Sequence, residues 1–492
     1  MREFFSYFAQ GLFFLVIAYF ALYVLLELRV LLISRRVERR RLAEISPTES
    51  ADPADFSPMV SVLLPICNES SVVERLIDAA CRLRYPAGRI EILVLDDSSD
   101  ITSSMALVKV AEHAVAGVNI HYIRREDRSG YKAGNLVNGM RQAAGEFFAI
   151  FDADFVPPED FLLRTIHCFQ DPQLGFLQTG IDYENRDVSF LTRFQAMEMG
   201  HQQYVTVGLS EDGDIASLSG SSCVWRRSCI EAVGGLNASM VTEDVDLGYK
   251  AQFGDWKYAF MRDVVSMSIL PETISAFRVQ RERWGRGLIH SSFVHAGAML
   301  RLRMPLMKRL HAISVMFSSW LLAAIYVLVL LSLPMAFLAE FDDAPWFNWG
   351  LLGFFGLVTL WALQNSVGSD GAAGAGQRSR GWLVHWDNYR YVAMFLPMSL
   401  YYFAGGIRAM FGVYGSFYRT PKGTDEQSCR RPRINSVLIA SELFTFFYSL
   451  LAIVAAVCEK SYFLIPLNVT VCLGFGMALY WSWQERFVRE CC

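Results

Sequence analysis

An uncharged run from Phe4 to Leu26 is long enough to cross the ~30 Å hydrocarbon core of a bilayer as a helix. Arg29, Arg35, Arg36, Arg39, Arg40 and Arg41 stand directly behind it. Basic residues collect on the cytosolic side of a span, so the N-terminus is expected outside and the following domain in the cytosol. A cleaved secretory leader carries its positive charge before the apolar run; the order here is the reverse and predicts a retained anchor. With 53% hydrophobic residues over 492 positions, the chain has room for a globular domain and several further spans. A formal net charge of -4 excludes a general nucleic-acid binder.

Later runs repeat the membrane pattern. Arg301, Arg303, Lys308 and Arg309 precede an uncharged stretch from Ala312 to Ala339; Glu340, Asp342 and Asp343 follow, and a second stretch runs from Ala344 to Val367. Basic, apolar, acidic, apolar is a hairpin going out and returning. Val437–Val457 and Ser461–Trp483 form another, ending at Arg486 and Arg489. Tyr391–Val413 is apolar but basic on both flanks and interrupted at Gly405-Gly406, which predicts a broken interfacial or re-entrant element. The total expected is about five spans in an integral membrane protein with its C-terminus inside. The expected divisions are an anchor with its basic flank over 1–41, a linker over 42–58, a cytosolic catalytic domain over 59–290, a membrane region over 291–483 and a tail over 484–492.

Pro47, Pro53 and Pro58 punctuate the linker, and a β-branched apolar run opens the domain. Val60 to Pro65 reads as a buried strand, Ser71 to Leu83 as a helix and Ile90 to Leu95 as a second strand. The alternation continues through Phe147 to Phe151, the rhythm of an α/β domain with a largely parallel sheet. Ligands gather at the C-terminal ends of such strands. The ten cysteines show no C-x-x-C pair, and those of a cytosolic domain are expected to be free thiols. Sequons at Asn68, Asn237 and Asn468 fall in the cytosolic domain or a span and are discounted.

Four acidic segments follow one another along the domain. Asp152-Ala153-Asp154 ends an apolar strand, where two carboxylates on a tight turn can share a divalent ion with a diphosphate; a pair of surface acids is the plainer reading. Asp96-Asp97-Ser98 could hold a base and ribose, or turn the chain into the next helix. Lys132, in Gly130-Tyr131-Lys132-Ala133-Gly134, could face a diphosphate or be an ordinary loop lysine. Glu243-Asp244 supplies the candidate general base for attack by a sugar hydroxyl, although Thr242 could simply cap a helix over Val245 to Ala251. In Gln280-Arg281-Glu282-Arg283-Trp284, Arg283 could stabilise a leaving diphosphate and Trp284 offer a face to a sugar ring, or both could anchor the interface.

Together these motifs resemble the family 2 glycosyltransferases of the cellulose synthase superfamily, and among them the cellulose-synthase-like glucomannan or β-mannan synthases and their bacterial relatives. The resemblance runs from Val60 to Lys422 and implies a GT-A-type, Rossmann-like domain joined to a multi-span helical membrane region. It implies that Asn68, Glu69, Asp97, Lys132, Asp152, Arg283, Thr420 and Lys422 contact the nucleotide sugar. Asp152 and Asp154 would hold Mg²⁺ or Mn²⁺, Asp244 would be the base of an inverting transfer, and Glu243, Gln280 and Trp284 would meet the acceptor. Phe417 to Gly423 resembles the gating loop of bacterial cellulose synthase, within a loop expected at 417–433. Gln178-Thr179-Gly180 and Leu218 to Cys223 depart from the mannan-synthase patterns at positions near the acceptor, which leaves sugar and linkage open. No domain of the kind that binds cyclic dinucleotide is evident in the sequence.

The implied activity is a processive hexosyltransferase that extends a β-linked polysaccharide from UDP-glucose or GDP-mannose and passes it through its own spans. The implied setting is the plasma, or inner, membrane in a bacterium, with membrane lipid as a partner and a homo-oligomer or accessory export subunits left open. The rival reading is a non-processive enzyme that glucosylates a membrane lipid of the ceramide type. A catalytically silent translocation or scaffold subunit would be expected to lack one of Asp97, Asp152, Asp154 or Asp244, all of which are present.

Overall fold

The computed structural model describes residues 2–43, 56–338, 386–412, 436–462 and 464–491, with scattered positions between 353 and 364. Seven strands form one sheet: β1 (Val60–Ile66), β2 (Ile90–Asp96), β3 (Ile120–Arg124), β4 (Phe147–Ile150), β5 (Leu174–Tyr183), β6 (Cys223–Arg226) and β7 (Lys257–Ser268). Helices α1 (Arg2–Ala43), α2 (Val73–Cys81), α3 (Thr102–Val115), α4 (Tyr131–Gln142), α5 (Phe161–Thr165), α6 (Phe190–Asp212), α7 (Arg227–Ala232), α8 (Glu243–Phe253) and α9 (Ile274–Arg301) flank or follow them. The C-terminal part is helical: α10 (Leu306–Met316), α11 (Ser318–Leu338), α12 (Trp386–Met410), α13 (Ser436–Cys458) and α14 (Leu464–Cys491).

The sheet order is β3-β2-β1-β4-β6-β5-β7, with β6 antiparallel to both neighbours and the other pairs parallel. Both faces are covered. One core packs Val60, Val62 and Leu64 against α2 and α3, and the opposite core packs Leu63, Leu93 and Leu95 against α4 and α6. This is why β1 reads as a continuous apolar run rather than an alternating one. The chain order reverses between β1 and β4, and a doubly wound sheet has its binding crevice at such a switch. Pro65 lies beyond the last β1–β4 pair, Leu63–Ile150, so its missing N–H falls where those two strands have already parted.

Helix α1 is one element of 42 residues, about 63 Å at 1.5 Å per residue, so it outruns any bilayer. Its second half docks on α6: Ser34 Oγ donates to the carbonyl of Tyr204 at 2.7 Å, and Arg29 pairs with Asp212 and, at 2.9 Å, with Asp214. Arg29 therefore has fixed partners on and just after α6. Among the described residues four helices are long and apolar enough to cross a membrane: Ser6–Arg40, Ser318–Phe337, Ser436–Cys458 and Leu464–Arg486. The expected run at Ala344–Val367 lies mostly outside the described residues, as does the proposed gating loop with Thr420 and Lys422.

Two expectations need correction. The run from Ala312 divides at Phe317 into α10 and α11. The segment at Tyr391–Val413 is not broken at Gly405-Gly406, because α12 passes through both glycines. The glycines serve packing instead: a Cβ on Gly405 would stand 2.7 Å from the Arg286 nitrogen of α9, and one on Gly285 would stand 2.9 Å from the Tyr402 Cα of α12. Two helices thus touch backbone to backbone at this crossing.

Helix α9 is bound to the helical region by charge as well as contact. Arg278 forms two bonds of 2.6 Å to Glu442 of α13, which also accepts from Tyr401 of α12 at 2.6 Å. Both partners are buried, so removing one strands the other's charge. Glu442→Leu is expected to destabilise the protein by about 3–5 kcal/mol in a thermal or denaturant melt in detergent. The double change Arg278→Met/Glu442→Leu should recover most of that loss, since an apolar pair of similar volume carries no desolvation cost.

Candidate functional site

Of the residues singled out from sequence, Asn68, Glu69, Asp97, Asp152 and Asp154 fall along the C-terminal edge of the sheet, around the switch between β1 and β4. Asp96 ends β2 and is fully buried. Its carboxylate accepts from Ser98 N at 2.7 Å, Ser103 Oγ at 2.6 Å and Tyr122 OH at 2.5 Å. Burial pushes its pKa up, but these donors together hold it below the ordinary aspartate value. Asp96 thus fixes the loop that presents Asp97. Asp97 in turn receives a two-pronged bond from Arg125, with Nε at 2.8 Å and Nη2 at 2.7 Å.

Arg125 also donates to the carbonyls of Ser129 and Tyr131, each at 2.7 Å. It joins the end of β2 to the turn that starts α4, and sequence reasoning passed it over. The available sign was its place in a charged run directly after β3, at the same sheet edge as the acidic segments. Asn68, at φ 57°, stitches the β1 end to the β2 end: its N–H donates to Ser98 Oγ and its side-chain oxygen accepts from Ser99 N, both at 2.8 Å. Glu69 caps the same turn, accepting from Cys67 N at 3.4 Å.

Gly130 enters α4 with φ 70° and Tyr131 follows with φ 47°. This left-handed entry turns Lys132 toward the sheet, and a Cβ at Gly134 would collide with the Ser129 carbonyl at 2.1 Å. Lys132 Nζ lies 2.7 Å from Asp152 and 3.9 Å from Glu243, and it donates to the Gly220 carbonyl at 3.5 Å. Burial works against its charge, yet Asp152, Glu243 and Asp244 outweigh that and raise its pKa above the usual lysine value. Glu243 shifts for a different reason. Burial first and then its neighbour Asp244 push its carboxyl up, against the pull of Lys132.

Asp152 and Asp154 occupy one turn but different surroundings. The Asp152 carboxylate is 34% exposed and keeps Lys132 as its partner. Asp154 is 2% exposed and accepts from Ser268 Oγ at the end of β7. Among the described residues no three His, Cys, Asp or Glu side chains converge as a closed metal cage. Asp152, open on one side, suits a hard divalent cation whose remaining ligands are phosphate oxygens and water, with Asp154 behind it on the same turn.

The loop Ser219–Ser222 ties these parts together. Gly220 N donates to Asp244 Oδ2 at 2.9 Å, Ser221 Oγ accepts from Asp152 N at 2.9 Å, and Gln178 reaches Ser219 N at 3.1 Å and the Ser221 carbonyl at 2.9 Å. Thr179 and Ser222 hydroxyls meet at 2.6 Å. The two segments that depart from the mannan-synthase patterns are therefore in direct contact, and they form one network beneath Asp152 and Asp244. Gly220 has to be glycine for this: a Cβ would lie 2.6 Å from the Asp244 Cβ.

Thr242 does occupy the N-cap position of α8, but its hydroxyl caps nothing; it is buried with no hydrogen-bond partner among the described residues. The helix extends over Glu243–Phe253, and Asp244 Oδ1 instead accepts from Val245 N at 2.9 Å. Both carboxylate oxygens of Asp244 are thus oriented by backbone N–H groups. Gln280, Arg283 and Trp284 lie on α9. Burial lowers the Arg283 pKa, while Glu243, Asp244 and Asp152 act to raise it, which puts its guanidinium in the field of the acidic cluster. Thr420 and Lys422 cannot be placed relative to these groups, since they lie outside the described residues.

Residues 58–287 match the glycosyltransferase-like family 2. Among curated proteins, the probable glucomannan 4-beta-mannosyltransferase 6 of Oryza sativa subsp. japonica is 38% identical over 249 residues, 49% of this chain and 43% of that protein. Glucomannan 4-beta-mannosyltransferase 9 of Arabidopsis thaliana is 33% identical over 323 residues, 63% of this chain and 60% of that one. The chain spans about half the length of the curated relatives it matches. A solved mannosyltransferase of Pyrobaculum calidifontis, in complex with GDP-Man and Mn²⁺, has the same fold at a TM-score of 0.52 and 18% identity, over 84% of this chain and 99% of that one.

Lys132 yields a test by pH. Replacing it with Met removes the cation paired with Glu243 and Asp152, at an expected cost on the order of 3 kcal/mol at pH 8. The loss should shrink toward pH 5, where a carboxyl with a raised pKa takes up its proton. Thermal melts of wild type and Lys132→Met across that range read the difference; a pH-independent gap would mean the lysine is not neutralising those carboxylates.

Proposed function

Because residues 58–287 match the glycosyltransferase-like family 2, we propose that this chain is a processive, inverting membrane β-glycosyltransferase. It builds a β-linked polysaccharide from a nucleotide-sugar donor on the cytosolic side and passes the polymer across the membrane. The observation that carries this reading is the assembly of Asp152, Lys132, Glu243 and Asp244 around the Ser219–Ser222 loop at the strand-order switch. GDP-mannose is the first donor to try, since the curated relatives are named mannosyltransferases, and UDP-glucose is the second.

Each residue then takes a role in this scheme. Asp97, held by Arg125, and the loop at Asn68 and Glu69 face the nucleotide. Asp152 and Asp154 hold Mg²⁺ or Mn²⁺, which when bound offsets charge on the diphosphate. Lys132 and Arg283 add positive charge on the leaving-group side, where charge builds as the glycosidic bond breaks. Asp244 takes the proton of the acceptor hydroxyl. Its oxygens are aimed by Gly220 N and Val245 N, so the base does not have to be ordered during the reaction. Glu243, Gln280 and Trp284 meet the acceptor, and Thr420 and Lys422 close over the donor.

Three measurements test the reading. Purified protein in lipid is supplied with a panel of labelled nucleotide sugars, and the product is digested with linkage-specific glycosidases; long polymer supports the synthase, and a single sugar on extracted lipid supports the glycolipid rival. Asp244→Asn, which keeps size and removes basicity, is expected to lower turnover by about 10²- to 10⁴-fold while donor binding survives. Chelation should stop synthesis and added Mn²⁺ or Mg²⁺ restore it, with Asp154→Ala inactive at any metal concentration. Normal turnover by Asp244→Asn removes it as the base, and full activity in excess chelator removes the metal.

A further inference from the structure

Between Arg278 and Glu282, α9 sends charged pairs to three separate elements: Arg278 to Glu442 of α13, Arg281 to Glu198 of α6, and Glu282 to Arg408 of α12. The middle pair differs from the others in what else it touches. Arg281 is 1% exposed, and its guanidinium meets Glu198 in a two-pronged bond, Nη1 to Oε1 at 2.7 Å and Nη2 to Oε2 at 2.6 Å. The same guanidinium lies 4.8 Å from the ring centre of Phe277 and 4.6 Å from that of Trp284. A planar cation is thus held by a carboxylate and lies over two aromatic rings, one turn before it and one turn after it on the helix.

The support behind this arrangement is rigid. Phe277 is fully buried and packs edge-on against Phe194, which stands on α6 one turn before Glu198. Helix α6 therefore supplies both the carboxylate and an apolar stop. Burying an arginine costs desolvation that only a complete set of hydrogen bonds offsets, and joining α6 to α9 could be done with two leucines. What the charge adds is a flat, immobile surface over one face of Trp284. The indole is only half-buried, so it keeps accessible surface away from Arg281.

We propose that Arg281 and Glu198 are positioning residues for acceptor binding: the clamped guanidinium fixes the Trp284 indole so that its accessible side meets the acceptor sugar. This rests on the reading above that Trp284 contacts the acceptor. Neither residue touches the donor site in this scheme. Their loss raises the acceptor requirement and leaves donor affinity and the chemical step at Asp244 largely intact.

The experiment uses the full chain in lipid nanodiscs with soluble β-linked oligosaccharides as acceptors. Arg281→Lys keeps the charge and loses the planar fork; Glu198→Gln weakens the same clamp from the other helix. Each is expected to raise acceptor KM about tenfold while donor KM stays within about twofold. The exchange R281E/E198R restores an ion pair between the helices but puts a carboxylate beside the ring. It should recover thermal stability without recovering acceptor KM. Recovery of both would reduce the pair to a structural bridge and overturn the proposal, as would unchanged acceptor KM in a folded Arg281→Lys or Glu198→Gln. Fluorine NMR of 5-fluorotryptophan-labelled protein, with Trp284 assigned through Trp284→Phe, reads the clamp without activity: one sharp line in wild type, broadened in all three variants. A wild type that transfers to no acceptor removes the transferase reading, and with it the acceptor role of the clamp. A line that stays sharp in the variants refutes the clamp itself, whatever the activity.

Discussion

A half-buried ammonium group among carboxylates that belong to different parts of the chain is the interaction on which the site depends. Lys132 comes from the start of α4, Asp152 from the end of β4, and Glu243 from the start of α8. The buried Glu243 and the half-buried Lys132 are each costly to leave unpaired, so each element favours the arrival of the others. The left-handed entry at Gly130 and Tyr131 and the cap-like role of Asp244 both follow from that requirement. So does the Ser219–Ser222 loop, whose backbone and hydroxyl groups meet what the charges leave unsatisfied.

Helix α9 extends this constraint toward the membrane region. It carries Arg283 within the field of the acidic cluster at one level and Arg278, Arg281 and Glu282 bound to three other helices at the next. The glycine contact between Gly285 and Gly405 brings its backbone against α12. Movement of the helical region would therefore be transmitted to Arg283 and Trp284 on α9 through paired charges and backbone contact. Loose apolar sliding would not do this.

Much of this was legible in the sequence because it is local. Strand ends follow apolar runs, so Asp97, Asp152 and Asp154 could be placed on one sheet edge from periodicity alone, and the largely parallel α/β sheet followed from the alternation of elements. What could not be read was pairing across the chain. Arg125 on Asp97, Glu198 on Arg281 and Glu442 on Arg278 are separated by 28, 83 and 164 positions, and no periodicity encodes them. Gly405-Gly406 misled for a related reason: glycine pairs read locally as a break, whereas here the partner helix needs the space. Thr242 misled because its position fits a cap while Asp244 makes the bond.

The central claim is that an oriented carboxylate at Asp244 drives direct displacement at the anomeric carbon, and this fixes the stereochemistry of the product. Nucleotide sugars such as GDP-mannose and UDP-glucose carry the α configuration, so one direct displacement must give a β linkage. The anomeric configuration of the newly added residue, read by the one-bond carbon–hydrogen coupling at that carbon in product made from isotopically labelled donor, decides the matter. A β linkage is the result this account predicts; an α linkage would mean retention, and would contradict the base mechanism built on Asp244.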